Sequence, residues 1–171
     1  ESVQPDGKAP ISASDIDVGV RTSLRDSNNQ AIRVAATPPR PATLEEVQQV
    51  IADFGLATKN AKEAGFDGVE IHGAHGYLLH QFWVEQTNQR DDEYGGSREN
   101  RARLTLDVID ACVAAWDADH VGIRVSPLGT FNNVEAGYNE DENIWLIEQI
   151  NKRGLMYLHL SEPDWAGGTP Y

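Results

Sequence analysis

Hydrophobic and polar positions follow two regimes in this chain, and the change falls near residue 43. Residues 1–42 are rich in Pro, Ser, Asn and Asp and carry no helical periodicity. Within them, residues 20–24 and 31–35 flank Asp26-Ser27-Asn28-Asn29, the pattern of a hairpin around a turn. Beyond residue 43 the pattern becomes regular. Thr43 with Glu46 three positions on is a capping box, and Val47, Ile51, Phe54 and Ala61 mark one face of a helix to about residue 64. A strand over 67–72 follows, with the apolar run Gly68-Val69-Glu70-Ile71 that a buried parallel strand shows. A helix near 98–116 turns Leu104, Val108, Ala111 and Ala115 inward, and a strand covers 120–126. A third helix over about 141–153 turns Ile144, Ile147 and Ile150 inward, ahead of a strand at 155–161.

Helices alternating with short apolar strands predict parallel βα units, an α/β fold. Each strand closes on polar groups: His72, then Arg124 and Ser126, then His159, Ser161 and Glu162. Chemistry drawn from several consecutive strand ends is the arrangement of a (β/α)8 barrel. A doubly wound sheet gathers its site at one switch point and usually has a Gly-rich loop after its first strand. The chain has neither GxGxxG nor a phosphate-loop motif, so the barrel is preferred. Three strands cannot close one.

Composition narrows the partners. With 171 residues the chain is the size of one ordinary domain, and 14 basic against 27 acidic residues give a net charge of −13. A nucleic-acid surface needs a basic excess, so none is expected. No apolar run approaches the roughly 18 residues of a membrane span, and no membrane partner is expected either. Cys112 stands alone, which rules out an internal disulfide and fits a reducing compartment such as the cytoplasm. It lies in an apolar helical pattern, as a buried structural thiol does.

The densest chemistry is His72-Gly73-Ala74-His75-Gly76-Tyr77, directly after a predicted strand. A strand end is rigid, and glycines let the backbone turn sharply near a ligand. Two histidines three apart suit metal ligands, but no Glu or Cys stands at a recognised ligand spacing, so no metal is expected. Single histidines are mostly structural. Two of them with Tyr77 on a Gly-punctuated strand end favour function. Two neutral imidazoles can each donate an N–H to one oxygen, polarising a carbonyl or nitro group. A phenol such as that of Tyr77 can supply a proton. Arg124 sits among apolar neighbours in Gly122-Ile123-Arg124-Val125-Ser126, where a charge needs a partner. Two readings stay open for it: a structural salt bridge, or a fixed cation facing an anionic cofactor or intermediate. Asn88-Gln89-Arg90, Tyr94-Gly95-Gly96-Ser97 and Glu99-Asn100-Arg101 read as scaffolding, with Ser97 as an N-cap, and Phe82-Trp83 as loop-packing core rather than a cofactor stack.

Taken together, HGAHGYLLHQF, NQRDDEYGGSRENR, GIRVSPLGTF and YLHLSEPDWAGG resemble the old yellow enzyme family of FMN-dependent ene-reductases. The match looks nearest to its bacterial branch of pentaerythritol tetranitrate, morphinone and xenobiotic reductases. QPDGKAPISAS and RTSLRD also look like the segment before the family's fourth strand, so the resemblance covers nearly the whole chain. It implies a (β/α)8 TIM barrel holding FMN at its C-terminal face. This chain would supply about the middle half: the βα units around strands 4–6 and a preceding hairpin. Residues 1–171 would form one partial FMN-binding domain, with 1–42 a loop and hairpin excursion and 43–171 the helix–strand repeats. By the same resemblance, His72 and His75 match the pair that binds the substrate's activating oxygen, His72 also lying beside the flavin. Tyr77 matches the proton donor, and Arg124 the cation near the flavin. NAD(P)H would reduce FMN, which then reduces an activated alkene, such as an α,β-unsaturated carbonyl, or a nitro or nitrate-ester compound. Asn132 stands where relatives carry Gln and is placed with the substrate-binding residues at the pocket rim.

The resemblance further implies an internal fragment, inactive alone and prone to oligomerise or to pair with a complementary half-barrel. Two other readings stand beside it: a half-barrel binding or assembly module without redox activity, and a non-flavin barrel isomerase or lyase using His72 and His75 as acid and base.

Overall fold

The computed structural model describes residues 5–134 and 139–162. The first segment holds β1 (Ile11–Ser12), then β2 (Arg21–Arg25) and β3 (Ala31–Ala35), then β4 (Arg40–Pro41). β2 and β3 pair antiparallel with Arg21 opposite Ala35, the predicted hairpin shifted by a single residue in its first strand. Its turn is closed by Asp26, whose carboxylate accepts the Asn28 and Gln30 N–H groups, and by Asn29 in the left-handed region at φ 63°. β1 and β4 form a short parallel pair, which two residues of sequence do not announce.

α1 (Leu44–Glu63) starts on the expected box. Thr43 Oγ1 accepts from the Glu46 N–H and the Glu46 carboxylate accepts from the Thr43 N–H. Arg40 binds the same carboxylate and, with Thr43, holds its pKa down at about 2. Next come β5 (Val69–Gly73), the six-residue α2 (Leu78–Trp83) and α3 (Arg98–Ala115). β6 (Val121–Val125), α4 (Glu140–Asn151) and β7 (Tyr157–Leu160) complete the described residues. α1 packs along α3, and a Cβ added at Gly55 would make ordinary contact there, 3.4 Å from the Ala111 carbonyl oxygen.

β5, β6 and β7 form one parallel sheet in sequence order, as the alternation of helices and strands requires. Register separates its two faces. Ile71, Ile123 and Leu158 share a row toward the helices, where Ile71 and Ile123 join Leu104, Val108 and Ile109 in the core. On the other face, Glu70, Gly122 and Tyr157 share one row, and His72, Arg124 and His159 the next. Among the described residues no helix covers that face, and Tyr157 on it is exposed.

Two expectations change. Ile144 does not point inward; it is 48% exposed, because the face of α4 that meets the core is Leu146 and Ile150, one turn apart. The Phe82-Trp83 run is core, as expected, but it lies on the helix α2, which also buries Leu79 and His80. The scaffold segment behaves as read. Arg90 donates to the Ala13 and Ala42 carbonyls and pairs with Asp92. Asn88 donates to the carbonyls of Phe82 and Tyr94, Arg101 to those of Trp83 and Gly96, and Ser97 caps α3. Cys112 is buried, and burial pushes its thiol pKa up. Among the described residues no helix is long and apolar enough to cross a membrane.

Candidate functional site

The site is built where β5 turns back into α2. His75 adopts the left-handed region at φ 59° and Gly76 follows at 72°. A Cβ on Gly76 would meet the Phe131 carbonyl and a Val134 methyl at 2.8 Å each, so the turn needs glycine for space as well as for conformation. Left-handed backbone is costly at histidine, and the surroundings hold it from several directions. Its N–H donates to Ser126 Oγ at 2.8 Å, and its carbonyl accepts from Asn132 Nδ2 at 3.0 Å. The Gly76 N–H donates to His80 Nδ1 at 2.9 Å, and Gln81 Nε2 donates to the Gly76 carbonyl at 2.7 Å.

This turn folds the predicted residues together. The His72 ring centroid lies 5.4 Å from that of His75 and 5.4 Å from that of Tyr77. Phe131 stands edge-on to His75 at 5.9 Å. Tyr77 sits at the N-cap of α2 without a capping side-chain bond and is 51% exposed. Arg124 is the register partner of His72 on β6. The position expected at the pocket rim, Asn132, adopts φ 61° and turns its amide to the His75 backbone.

Electrostatics favour neutral rings. Burial, then the Arg124 charge, lowers the pKa of His72, against a smaller opposing pull from Glu70. His75 is lowered by burial, then by Arg124, His72 and His159. His80 is more deeply buried and falls to about 4, with His75 and His72 adding to the burial effect. Neutral imidazoles at pH 7 keep one N–H each for an acceptor. His159, beyond Arg124 in the same row, pairs instead with Glu70 at 2.9 Å.

Among the described residues Arg124 forms no ion pair, its Nη2 reaches Ser161 Oγ only at 3.4 Å, and its buried Nε–H has no hydrogen-bond partner. An orphaned guanidinium donor at this depth is suited to an acceptor or an anion from outside the chain. It also disfavours a metal on the two histidines, and among the described residues no three His, Cys, Asp or Glu side chains gather as a ligand set.

Sequence reasoning left out three supporting groups. Ser126 and Ser161 stood out only as polar strand ends, and His80 only as part of a motif. Their contacts with the 75–76 turn depend on its left-handed path, which no spacing rule encodes.

The chain has known relatives. A profile of the NADH:flavin oxidoreductase / NADH oxidase family matches residues 8–170. The chain is 46% identical over 164 residues to putative 12-oxophytodienoate reductase 5 of Oryza sativa subsp. japonica, covering 95% of this chain and 41% of that protein. It is 43% identical over 162 residues to 12-oxophytodienoate reductase 2 of Arabidopsis thaliana, covering 94% and 42%. Morphinone reductase superposes with a TM-score of 0.92 at 37% identity, covering 99% of this chain and 46% of that one. The old yellow enzyme homologue from Zymomonas mobilis gives 0.82 at 29% identity, over 91% and 42%. The chain therefore spans less than half the length of these relatives, and its three strands and their helices are part of a TIM barrel.

Proposed function

Because this chain belongs to the NADH:flavin oxidoreductase / NADH oxidase family, we propose that it carries the substrate side of an FMN-dependent ene-reductase of the old yellow enzyme type. The whole protein reduces activated alkenes, such as α,β-unsaturated carbonyls, or nitro and nitrate-ester compounds, at the expense of NAD(P)H. The observation that carries this reading is the packing of His72, His75 and Tyr77 beside an arginine whose buried Nε–H lacks a partner among the described residues.

The residues present fit the cofactor. Arg124 offers a fixed cation and an unused donor to an electron-rich edge of FMN, with His72 next to it in the row. FMN, when bound, supplies the two-electron relay between the nicotinamide and the substrate. His72 and His75, held neutral, donate N–H groups to the substrate's activating oxygen and stabilise the charge that develops there. Tyr77 delivers a proton to the alkene carbon next to the carbonyl and recovers one from solvent, to which half of its side chain is open. Nitro and nitrate-ester substrates depend less on that proton.

This reading makes the isolated chain inactive. The helix-free face leaves Tyr157 exposed, and Met156 and Leu160 are also exposed around β7, surface that the rest of a barrel would cover. Oligomerisation or capture of a complementary half-barrel is the expected behaviour of the chain by itself. A single buried thiol supports a reducing location such as the cytoplasm. Expression of the full-length protein tests the core of the proposal. It should purify yellow, release FMN on denaturation, bleach with NAD(P)H without oxygen, and recover its colour with 2-cyclohexenone. A colourless, folded protein would overturn it.

A further inference from the structure

Three strand ends meet at one hydroxyl. Ser161 directly follows β7, is 5% exposed, and donates its N–H to the Val125 carbonyl at 2.9 Å, which seats it beside the end of β6. Its Oγ lies 2.8 Å from His75 Nε2 and 3.4 Å from Arg124 Nη2. A guanidinium only donates, whereas a serine hydroxyl has one proton and two lone pairs. An Oγ that accepts from Arg124 keeps a second lone pair, so the 2.8 Å contact fits either Nε2–H donating to Oγ or Oγ–H donating to an unprotonated Nε2. The second arrangement gives the proton of this buried hydroxyl a partner, and in a ring kept neutral by burial and the Arg124 charge it leaves the one ring proton on Nδ1.

We propose that Ser161 is a positioning residue that fixes His75 as the Nδ1–H tautomer, so that a substrate oxygen meets a donor there and not a lone pair. The inference rests on the reading of His75 as an oxygen-binding group. Ser161 plays little part in shaping the turn itself, since Ser126 and Asn132 hold the His75 backbone. Removing the hydroxyl therefore changes where the proton sits and leaves the loop in place.

The test uses the full-length protein as purified, with 15N-labelled histidine and His75 assigned by a His75→Gln variant. At pH 7 the wild-type Nε2 should resonate as an unprotonated ring nitrogen and Nδ1 as a protonated one. Ser161→Ala should average the two signals and raise KM for an enone several-fold. Ser161→Thr keeps a hydroxyl and should restore both the spectrum and KM. A wild-type ring protonated on Nε2, or a Ser161→Ala spectrum identical to wild type, would overturn the assignment. Absence of bound FMN would end the ene-reductase reading instead, and the nitrogen spectrum, which needs no turnover, would still report the tautomer.

Discussion

His72 and Arg124 are register partners on adjacent parallel strands, so an imidazole and a guanidinium share one row of the helix-free face. The pairing is mildly repulsive for a protonated histidine and adds to burial, the larger effect, in keeping His72 neutral. Arg124→Met removes the cation but not the burial, and both His72 and His75 should titrate at higher pH than in the wild type, as NMR titration would show. Arg124→Lys keeps the charge and should move them less. Loss of one charged donor at the proposed cofactor edge is worth about 1.5–3 kcal/mol, so Arg124→Met should also retain FMN about 10- to 100-fold more weakly. Unchanged histidine titration together with unchanged FMN affinity would remove Arg124 from the site.

Tyr77 is placed to act on substrate and contributes little to the fold. It is half exposed and makes no capping bond at the start of α2, so Tyr77→Phe should change unfolding free energy by no more than about 0.5 kcal/mol. Enone turnover should fall by about 10²–10⁴ with the nicotinamide half-reaction intact, the usual worth of a positioned acid. Reduction of a nitro compound should fall less. Stopped-flow measurement of the two half-reactions separates these effects, and an enone rate equal to wild type would refute the proton-donor role.

Local rules carried much of the fold into the sequence. The capping box at Thr43 and Glu46 and the hairpin about Asp26 to Asn29 depend on residues within a few positions of each other, and both are present. Periodicity placed α3 and the three parallel strands to within about two residues. What failed depends on tertiary context. Ile144 fits a helical repeat as well as Leu146 does, and only the packing of α4 shows which face is buried. β1 and β4 are two residues each and exist because distant chain segments meet. At the site, His72, His75, Tyr77 and Arg124 were legible because strand ends concentrate polar groups. Ser161 lies 86 residues from the histidine it contacts, and no local pattern joins them.

The scaffold loop should show its own sensitivity to added atoms. A Cβ on Gly95 would fall 2.2 Å from the Arg90 carbonyl oxygen, in a loop that Arg90 ties to Ala13 and Ala42. Gly96, next in sequence, has φ 79° but nothing within 4 Å of an added Cβ. Gly95→Ala must displace backbone and should destabilise by about 1–3 kcal/mol or more. Gly96→Ala carries only the left-handed backbone cost of about 1–2 kcal/mol. Urea midpoints of the two variants of the full-length protein should differ in that order. Equal midpoints would show that the loop yields and that Arg90 does not pin it.

Acid should weaken the fold through His80. Its Nδ1 accepts the Gly76 N–H, and burial takes its pKa from an ordinary 6.5 to about 4 in the folded protein. Between those two values the unfolded chain binds a proton that the folded one refuses. The stabilisation is therefore complete above about pH 6.5 and declines as pH falls toward 4, with His72 and His75 shifted in the same direction. At 1.36 kcal/mol per unit, His80 alone accounts for about 2 kcal/mol lost by pH 5. Glutamine offers a side-chain oxygen to the Gly76 N–H but does not titrate in this range. His80→Gln should cost stability at pH 7.5 through imperfect packing, and that deficit should shrink or reverse at pH 5. Urea unfolding of both proteins at the two pH values measures it, and a deficit that does not change with pH would mean that His80 is protonated in the folded state, with the Gly76 contact made some other way.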